Sequence, residues 1–251
     1  MVYLYMTWVK RSFQSISTYS MKGEINFMIT RAILQSVYRI RIGLIAGSSF
    51  TIVHKEIQYI ITAKHLFENA CFPNEATIEI LHDGKYESLH VLIYYSCDSD
   101  VDIAVLKTNP YYEILPKFEN PTTSDRLTIG QDVYFLGFPY DYESLIIDFP
   151  DEKTPVPFVK KACASGFGRD KKLMYLDGMN NPGFSGGPVC FRELTKSPFK
   201  IAGVISGYRF DKKKVFYGDE NETSLTIREN TGIINAFDIR FAIAIINNII
   251  S

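Results

Sequence analysis

At 251 residues the chain has the length of one large domain or two small ones, enough to bury about three quarters of the surface that an unfolded chain exposes. Its 27 Lys and Arg against 28 Asp and Glu leave a formal charge of −1, which gives no basic field for holding nucleic acid. Apolar residues make up 46% of the chain, yet no uninterrupted apolar run reaches the ~18 residues that a membrane span needs.

Residues 1–30 read as an N-terminal extension. Met1 to Val9 are apolar, but Lys10 and Arg11 follow that run instead of preceding it, and no small-residue cleavage site appears, so a signal peptide is not expected. Three readings stay open: a segment packed on the domain, an arm that binds a regulatory partner, or a product of start-codon choice, with Met21 or Met28 as later starts.

From Val37 the pattern has period two. Tyr38, Ile40 and Ile42 share one face while Arg39 and Arg41 take the other, the mark of a half-buried strand. Strands are predicted at 49–54 and 57–62 around a Lys55-Glu56 turn, then near Ile78 and Ile80 before the hairpin dipeptide Asp83-Gly84, at 91–95, and at 103–106. Pro110, Pro116 and Pro121 punctuate a polar crossing over 109–126. A second set of strands follows at 132–138, 158–167, 172–176, 188–191, 201–208 and 232–236. Two surface excursions interrupt it, the proline-rich 148–157 and the charged 210–222. Asp238 is placed to cap a closing helix with Ile239, Ala242, Ile243, Ile246 and Ile250 on its packed face. These elements predict an all-β chain of two antiparallel six-stranded barrels, about 36–110 and 125–251, within one unit over 31–251.

Chemistry concentrates in Gly183-Phe184-Ser185-Gly186-Gly187-Pro188. By composition this pattern should occur by chance in about one such chain in several thousand. Glycines around a serine permit a sharp turn whose successive amides point into one small space, a nest for negative charge. A serine hydroxyl becomes nucleophilic only with a base and a group that orients the base. Of the four histidines, His65 ends an apolar strand in Thr62-Ala63-Lys64-His65-Leu66, whereas His54, His82 and His90 have no comparable setting. Asp102 is the last acid before the apolar run from Ile103 to Leu106, and Asp98 and Asp100 read as solvated loop charges.

In this order the three segments resemble the signatures of the chymotrypsin/trypsin-like serine proteases, since His, Asp, Ser is that family's sequence order. Asp177 to Pro188 is more closely similar to the D-x-x-x-N-P-G-N-S-G-G-P segment of the bacterial HtrA-type branch, departing chiefly at Phe184. Gly130, Val133, Gly137 and Pro139 resemble a second pattern of that branch. The resemblance implies a chymotrypsin-like fold and a serine endopeptidase acting through His65, Asp102 and Ser185, with the amides of Gly183 and Ser185 as oxyanion hole. Ser206 falls where the family supports its aspartate. Met179, Ser206, Gly207 and Tyr208 would bind an extended protein or peptide substrate, and Met179 implies apolar or small side chains before the scissile bond. No metal or cofactor is implied.

Phe184 stands where zymogen-activated relatives carry an aspartate for a new N-terminal ammonium, so control by that cleavage is not implied. Leu66 and Asn181 occupy positions where secreted relatives carry cysteine. The chain's own Cys71, Cys97, Cys163 and Cys190 show no C-x-x-C pairing or neighbouring histidine, which argues against zinc. Free thiols, with Cys163 and Cys190 buried, and a cytoplasmic location are expected. The alternative is a catalytically silent protease fold that serves as a binding module. An esterase would place its histidine after the serine.

Overall fold

The computed structural model describes residues 29–67, 74–144, 155–194, 197–218 and 222–250. The N-terminal run 1–28, Cys71 and most of the 148–157 excursion lie outside the described residues. The first barrel holds β1 (Val37–Ile42), β2 (Ile45–His54), β3 (Ile57–Thr62), β4 (Glu75–His82), β5 (Lys85–Tyr95) and β6 (Ala104–Thr108), in the closed order β1-β2-β3-β6-β5-β4. The second holds β7 (Asp132–Gly137), β8 (Phe158–Phe167), β9 (Leu173–Asp177), β10 (Pro188–Phe191), β11 (Lys200–Phe216) and β12 (Glu222–Asp238), closed as β10-β11-β12-β9-β8-β7. All pairings between these strands are antiparallel, as the sequence predicts.

Turn chemistry sets the register. Asp83 and Gly84 have φ of 47° and 73°, the doubly positive geometry that a two-residue hairpin turn requires, and they pair His82 with Lys85. Lys55 and Glu56 adopt the same geometry, at 48° and 67°, without glycine. There the ladder from Phe50–Ile61 to His54–Ile57 imposes the turn on residues that do not favour it.

Burial falls into three clusters. One draws only on the first barrel, around Ile40, Ile78, Ile80 and Leu106, and one only on the second, around Val133, Phe135, Phe184 and Ile205. The third joins both barrels: Phe50, Ile52, Ile61 and Val105 meet Leu136, Phe138, Ile201 and Val204. Strands at this junction are apolar on both faces, which is why Ile60-Ile61 and Ala104-Val105-Leu106 read as unbroken apolar runs.

A short helix α1 (Arg31–Gln35), capped by the Thr30 hydroxyl, precedes β1, where the sequence predicted no element. Its Ile33, with Ile29, packs into the shared cluster. The closing helix α2 (Arg240–Ile250) starts at Asp238, whose Oδ1 accepts from the Arg240 amide at 2.9 Å. Ile245 takes a buried place on α2, and Ile250 is exposed, one step off the expected face. No helix among the described residues is long and apolar enough to cross a membrane.

Two expectations need correction, and a third gains detail. Arg39 is not on a solvated face; it is 6% exposed and pairs with Asp141, because the turn after β7 closes over it. The 210–222 excursion lies at the surface as expected, and its described residues are paired strand. β11 and β12 continue pairing from Phe210–Asn230 out to Phe216–Glu222 as a two-stranded ribbon beyond the barrel. Cross-strand charges favour that ribbon, with Lys214 2.7 Å from Glu222 and Lys213 3.7 Å from Glu229. Cys163 is half-buried rather than buried.

Cys97, Cys163 and Cys190 are all free, and Cys190 is fully buried, so desolvation pushes its thiol well above the usual range. In the native protein a thiol reagent should modify exposed Cys97 and reach Cys190 only on unfolding, and reductant should leave the melting temperature unchanged. Peptide mapping after labelling checks this; native modification of Cys190 would contradict the packing.

Candidate active site

The Gly-Ser loop joins β9 to β10 and is anchored on both barrels. Gly186 donates to the Ile205 carbonyl at 2.7 Å, and the Ser185 carbonyl accepts from the Ser48 amide of β2 at 2.8 Å. Gly183 and Gly186 have φ of +102° and +84°, and a Cβ on Gly186 would lie 2.1 Å from the Ser48 carbonyl oxygen. Neither position admits a side chain. Phe184 turns inward, fully buried, with its ring edge-on to Phe135 at 4.9 Å. The amides of Gly183 and Ser185 meet no acceptor among the described residues.

His65 lies in a single 3-10 turn, Lys64–Phe67, directly after β3. Its backbone amide donates to Asp102 Oδ1 at 2.8 Å, and its Nδ1 lies 2.7 Å from Oδ2. The imidazole is 35% exposed and the carboxylate 15%. Asp102 is fixed by its neighbours, since Val101 and Ile103 on either side are fully buried in the shared cluster.

Ser206 connects the remaining pieces. The β11–β12 ladder slips between Ile205 and Gly207, leaving Ser206 as a bulge. A bulge residue has no ladder partner and is aimed afresh. The Ser206 hydroxyl donates to Asp102 Oδ2, and its carbonyl accepts from the Ser185 hydroxyl at 3.0 Å. Asp102, His65, Ser206 and Ser185 thus form one connected group across the two barrels.

The other expected binding residues are placed less uniformly. Met179 is 51% exposed, whereas Asn180 beside it is buried, its carbonyl accepting from Asn230 Nδ2 at 2.8 Å. Gly207 and Tyr208 pair with Asn235 and Ile234 of β12, and a Cβ at Gly207 would meet nothing within 4 Å. β10 pairs with the other side of β11 only as far as Val204, so residues 206–208 have no strand on that side among the described residues. Asp98 is not a lone solvated charge. It pairs with Lys172 of the second barrel at 2.5 Å, and that contact, with the Asp100 amide, lowers its pKa.

Sequence reading missed three residues. Ser48 Oγ donates to the Gly183 carbonyl at 2.6 Å and accepts from the Phe138 amide at 3.0 Å. Lys160 donates to the Met179 carbonyl and to Asn181 Oδ1, and Arg39 holds Asp141 beside the loop. Only Ser48 had a sequence signal, the small-residue run Ala46-Gly47-Ser48-Ser49 inside an apolar strand.

A family model described as a trypsin-like peptidase domain matches residues 47–193. No curated protein matches the chain significantly. Among solved structures, the inactive form of a serine-to-alanine mutant of Rv3671c from M. tuberculosis superposes with a TM-score of 0.53 at 17% identity, over 89% of this chain and 91% of that one. The HtrA-type protease AlgW with a tripeptide gives 0.56 at 18%, over 88% of this chain, which spans 62% of that protein. Deg5 gives 0.50 at 22%, over 84% and 87%. At these identities the likeness is one of fold.

Replacing Ser48 by alanine leaves the Phe138 amide and the Gly183 carbonyl without this partner. Ser48→Ala should cost about 2 kcal/mol, since an unmet buried polar group costs ~1–3 kcal/mol. That is a fall of about 4–8 °C in Tm for a domain of this size. Ser49→Ala removes one longer bond, 3.3 Å to the Tyr38 carbonyl, and should cost less than half as much. Equal melting of Ser48→Ala and wild type would show that the junction does not depend on this hydroxyl.

Proposed function

Because the chain belongs to the trypsin-like peptidase family, matched over residues 47–193, we propose that it is a serine endopeptidase with Ser185 as nucleophile, His65 as base then acid, and Asp102 as the group that orients His65. The observation that carries this reading is the double contact of Ser206. Its hydroxyl meets Asp102 and its carbonyl meets the Ser185 hydroxyl, while Asp102 grips both the amide and Nδ1 of His65. Asp102 at Nδ1 keeps the proton on that nitrogen and leaves Nε2 as the base.

In the first step the Ser185 hydroxyl leaves the Ser206 carbonyl by rotation about χ1. It passes its proton to His65 Nε2 as its oxygen bonds to the peptide carbonyl carbon. The carbonyl oxygen becomes an oxyanion received by the Gly183 and Ser185 amides. His65 then returns the proton to the departing amine, and water repeats the sequence on the acyl-enzyme. The uncovered edge of β11 suits an extended peptide, which would add there by backbone hydrogen bonds. Met179, Asn180 and residues 206–208 carry no charge of either sign, so the preferred side chain before the scissile bond is apolar or small.

Ser185→Ala and His65→Ala should each abolish peptide hydrolysis and fluorophosphonate labelling with little change in melting. Asp102→Asn should lower kcat by about 10⁴, the loss measured when a serine protease loses this carboxylate to the wrong histidine tautomer. Hydrolysis by purified Ser185→Ala at the wild-type rate would refute the assignment. Phe184 offers no carboxylate to a freed N-terminus, so full-length protein and protein trimmed before Ile29 should label at equal rates, with intact mass confirming each species. Labelling of the trimmed form alone would reverse that conclusion.

A further inference from the structure

Lys160 lies half-buried against the second barrel, and no carboxylate among the described residues pairs with it. It lies on the same face of β8 as the buried Ala162 and Ala164, and pairs in register with Phe135. Its Nζ lies 5.9 Å from the Phe135 ring centre and 5.8 Å from that of Phe184. The hydrogen bonds of the ammonium go to the Met179 carbonyl and, at 3.0 Å, to Asn181 Oδ1. Burial lowers its pKa from the usual lysine range. Ordering a lysine side chain costs rotamer entropy, and here the gain is contact with neutral oxygens and ring faces alone. For stability alone an apolar side chain between the two rings would serve as well.

The receiving atoms explain the arrangement. Met179 and Asn181 lie on the segment that leads into Gly183, and Asn181 Nδ2 also donates to the Tyr140 hydroxyl at 3.3 Å. The Tyr140 amide in turn donates to the Pro182 carbonyl at 3.1 Å. We propose that Lys160 is a positioning residue for the oxyanion loop. Its ammonium fixes Met179 and Asn181, and with Phe184 held beneath it, the Gly183 and Ser185 amides converge on one point. This rests on the reading of that loop as an oxyanion hole.

The test compares full-length wild type with Lys160→Met, Lys160→Arg, Asn181→Ala and the Lys160→Met/Asn181→Ala double variant. Lys160→Met should lower kcat and the fluorophosphonate labelling rate by about 10²–10³, the range for losing one oxyanion donor, with KM changed less than about threefold. Lys160→Arg should recover at least about a tenth of the wild-type kcat, because a cation with fixed donors is restored. The double variant should lose less than the product of the two single losses, since both changes remove the shared Lys160–Asn181 contact, and a full product would overturn the coupling. In a Ser185→Ala background, amide exchange over 178–184 should rise by about tenfold or more in Lys160→Met, with β7 and β8 unchanged.

An unchanged kcat, a loss carried by KM, or an unchanged exchange rate would overturn the proposal. Should Lys160→Met fail to fold, Asn181→Ala decides, with a fall in kcat of about tenfold expected and no fall overturning it. If wild type itself does not label, the protease reading fails, and the exchange comparison still settles what Lys160 holds.

Discussion

Ser48 is where the two halves of this molecule are fastened. Each barrel closes its strand order on itself, and no ladder between named strands runs from one barrel into the other. They meet through apolar side chains, which fix distance but allow sliding, and through a few directional polar contacts, which do not. Ser48 supplies several of these contacts at once. Its amide meets the Ser185 carbonyl, its hydroxyl bridges the Gly183 carbonyl and the Phe138 amide, and its own carbonyl accepts from Thr62 Oγ1 at 2.8 Å. Thr62 closes the strand that delivers His65. One buried residue therefore references the Ser185 loop, the end of β7 and the His65 turn to a common origin.

Charges around this junction serve orientation more than stability. Lys172 of the second barrel reaches Asp98 of the first, and Lys64 Nζ donates to the Ser99 carbonyl at 3.0 Å, so the loop that carries Asp102 is held from two directions. Exposed pairs of this kind add little to folding. Arg39 differs, because its side chain is buried while Asp141 stays mostly exposed. It ties β1 to the turn whose Tyr140 supports Pro182. Phe184 fits the same pattern. Where zymogen-activated relatives answer an incoming ammonium with a carboxylate, this chain turns an aromatic ring toward the ammonium of its own Lys160.

Much of this was legible in the chain itself, for reasons that differ by residue. Period-two alternation gave the strands because a barrel wall has an inside and an outside, as Tyr38, Ile40 and Ile42 show. His65, Asp102 and Ser185 stood out because nucleophilic catalysis by a serine would need those residue types, in settings few others share, and the fold brings the three together with Ser206. What stayed hidden depends on a distant partner. Nothing local separates Arg39 from Arg41, yet the turn at Asp141 buries the first more than the second. Lys160 sits among ordinary strand residues, and only the arrival of Met179 and Asn181 gives its charge a task. The charges of 210–222 announced a surface excursion but not its pairing, since a ribbon paired only with itself is solvated on both faces and shows no alternation.

That ribbon and the bulge at Ser206 belong to one strand. β11 stays in the barrel as far as Tyr208, whose partner Ile234 pairs onward with Leu176 of β9, and then runs from Phe210 to Phe216 with β12 alone beside it, an arm of about 20 Å at ~3.3 Å per residue. Mechanically it is a lever rooted a few residues beyond Ser206. A second slip in the ladder, between Tyr208 and Phe210, marks that root. A load on the outer end enters the barrel along the same backbone that carries the hydroxyl on Asp102 and the carbonyl on Ser185. Asp102 and Ser185 thereby share one piece of chain with the arm.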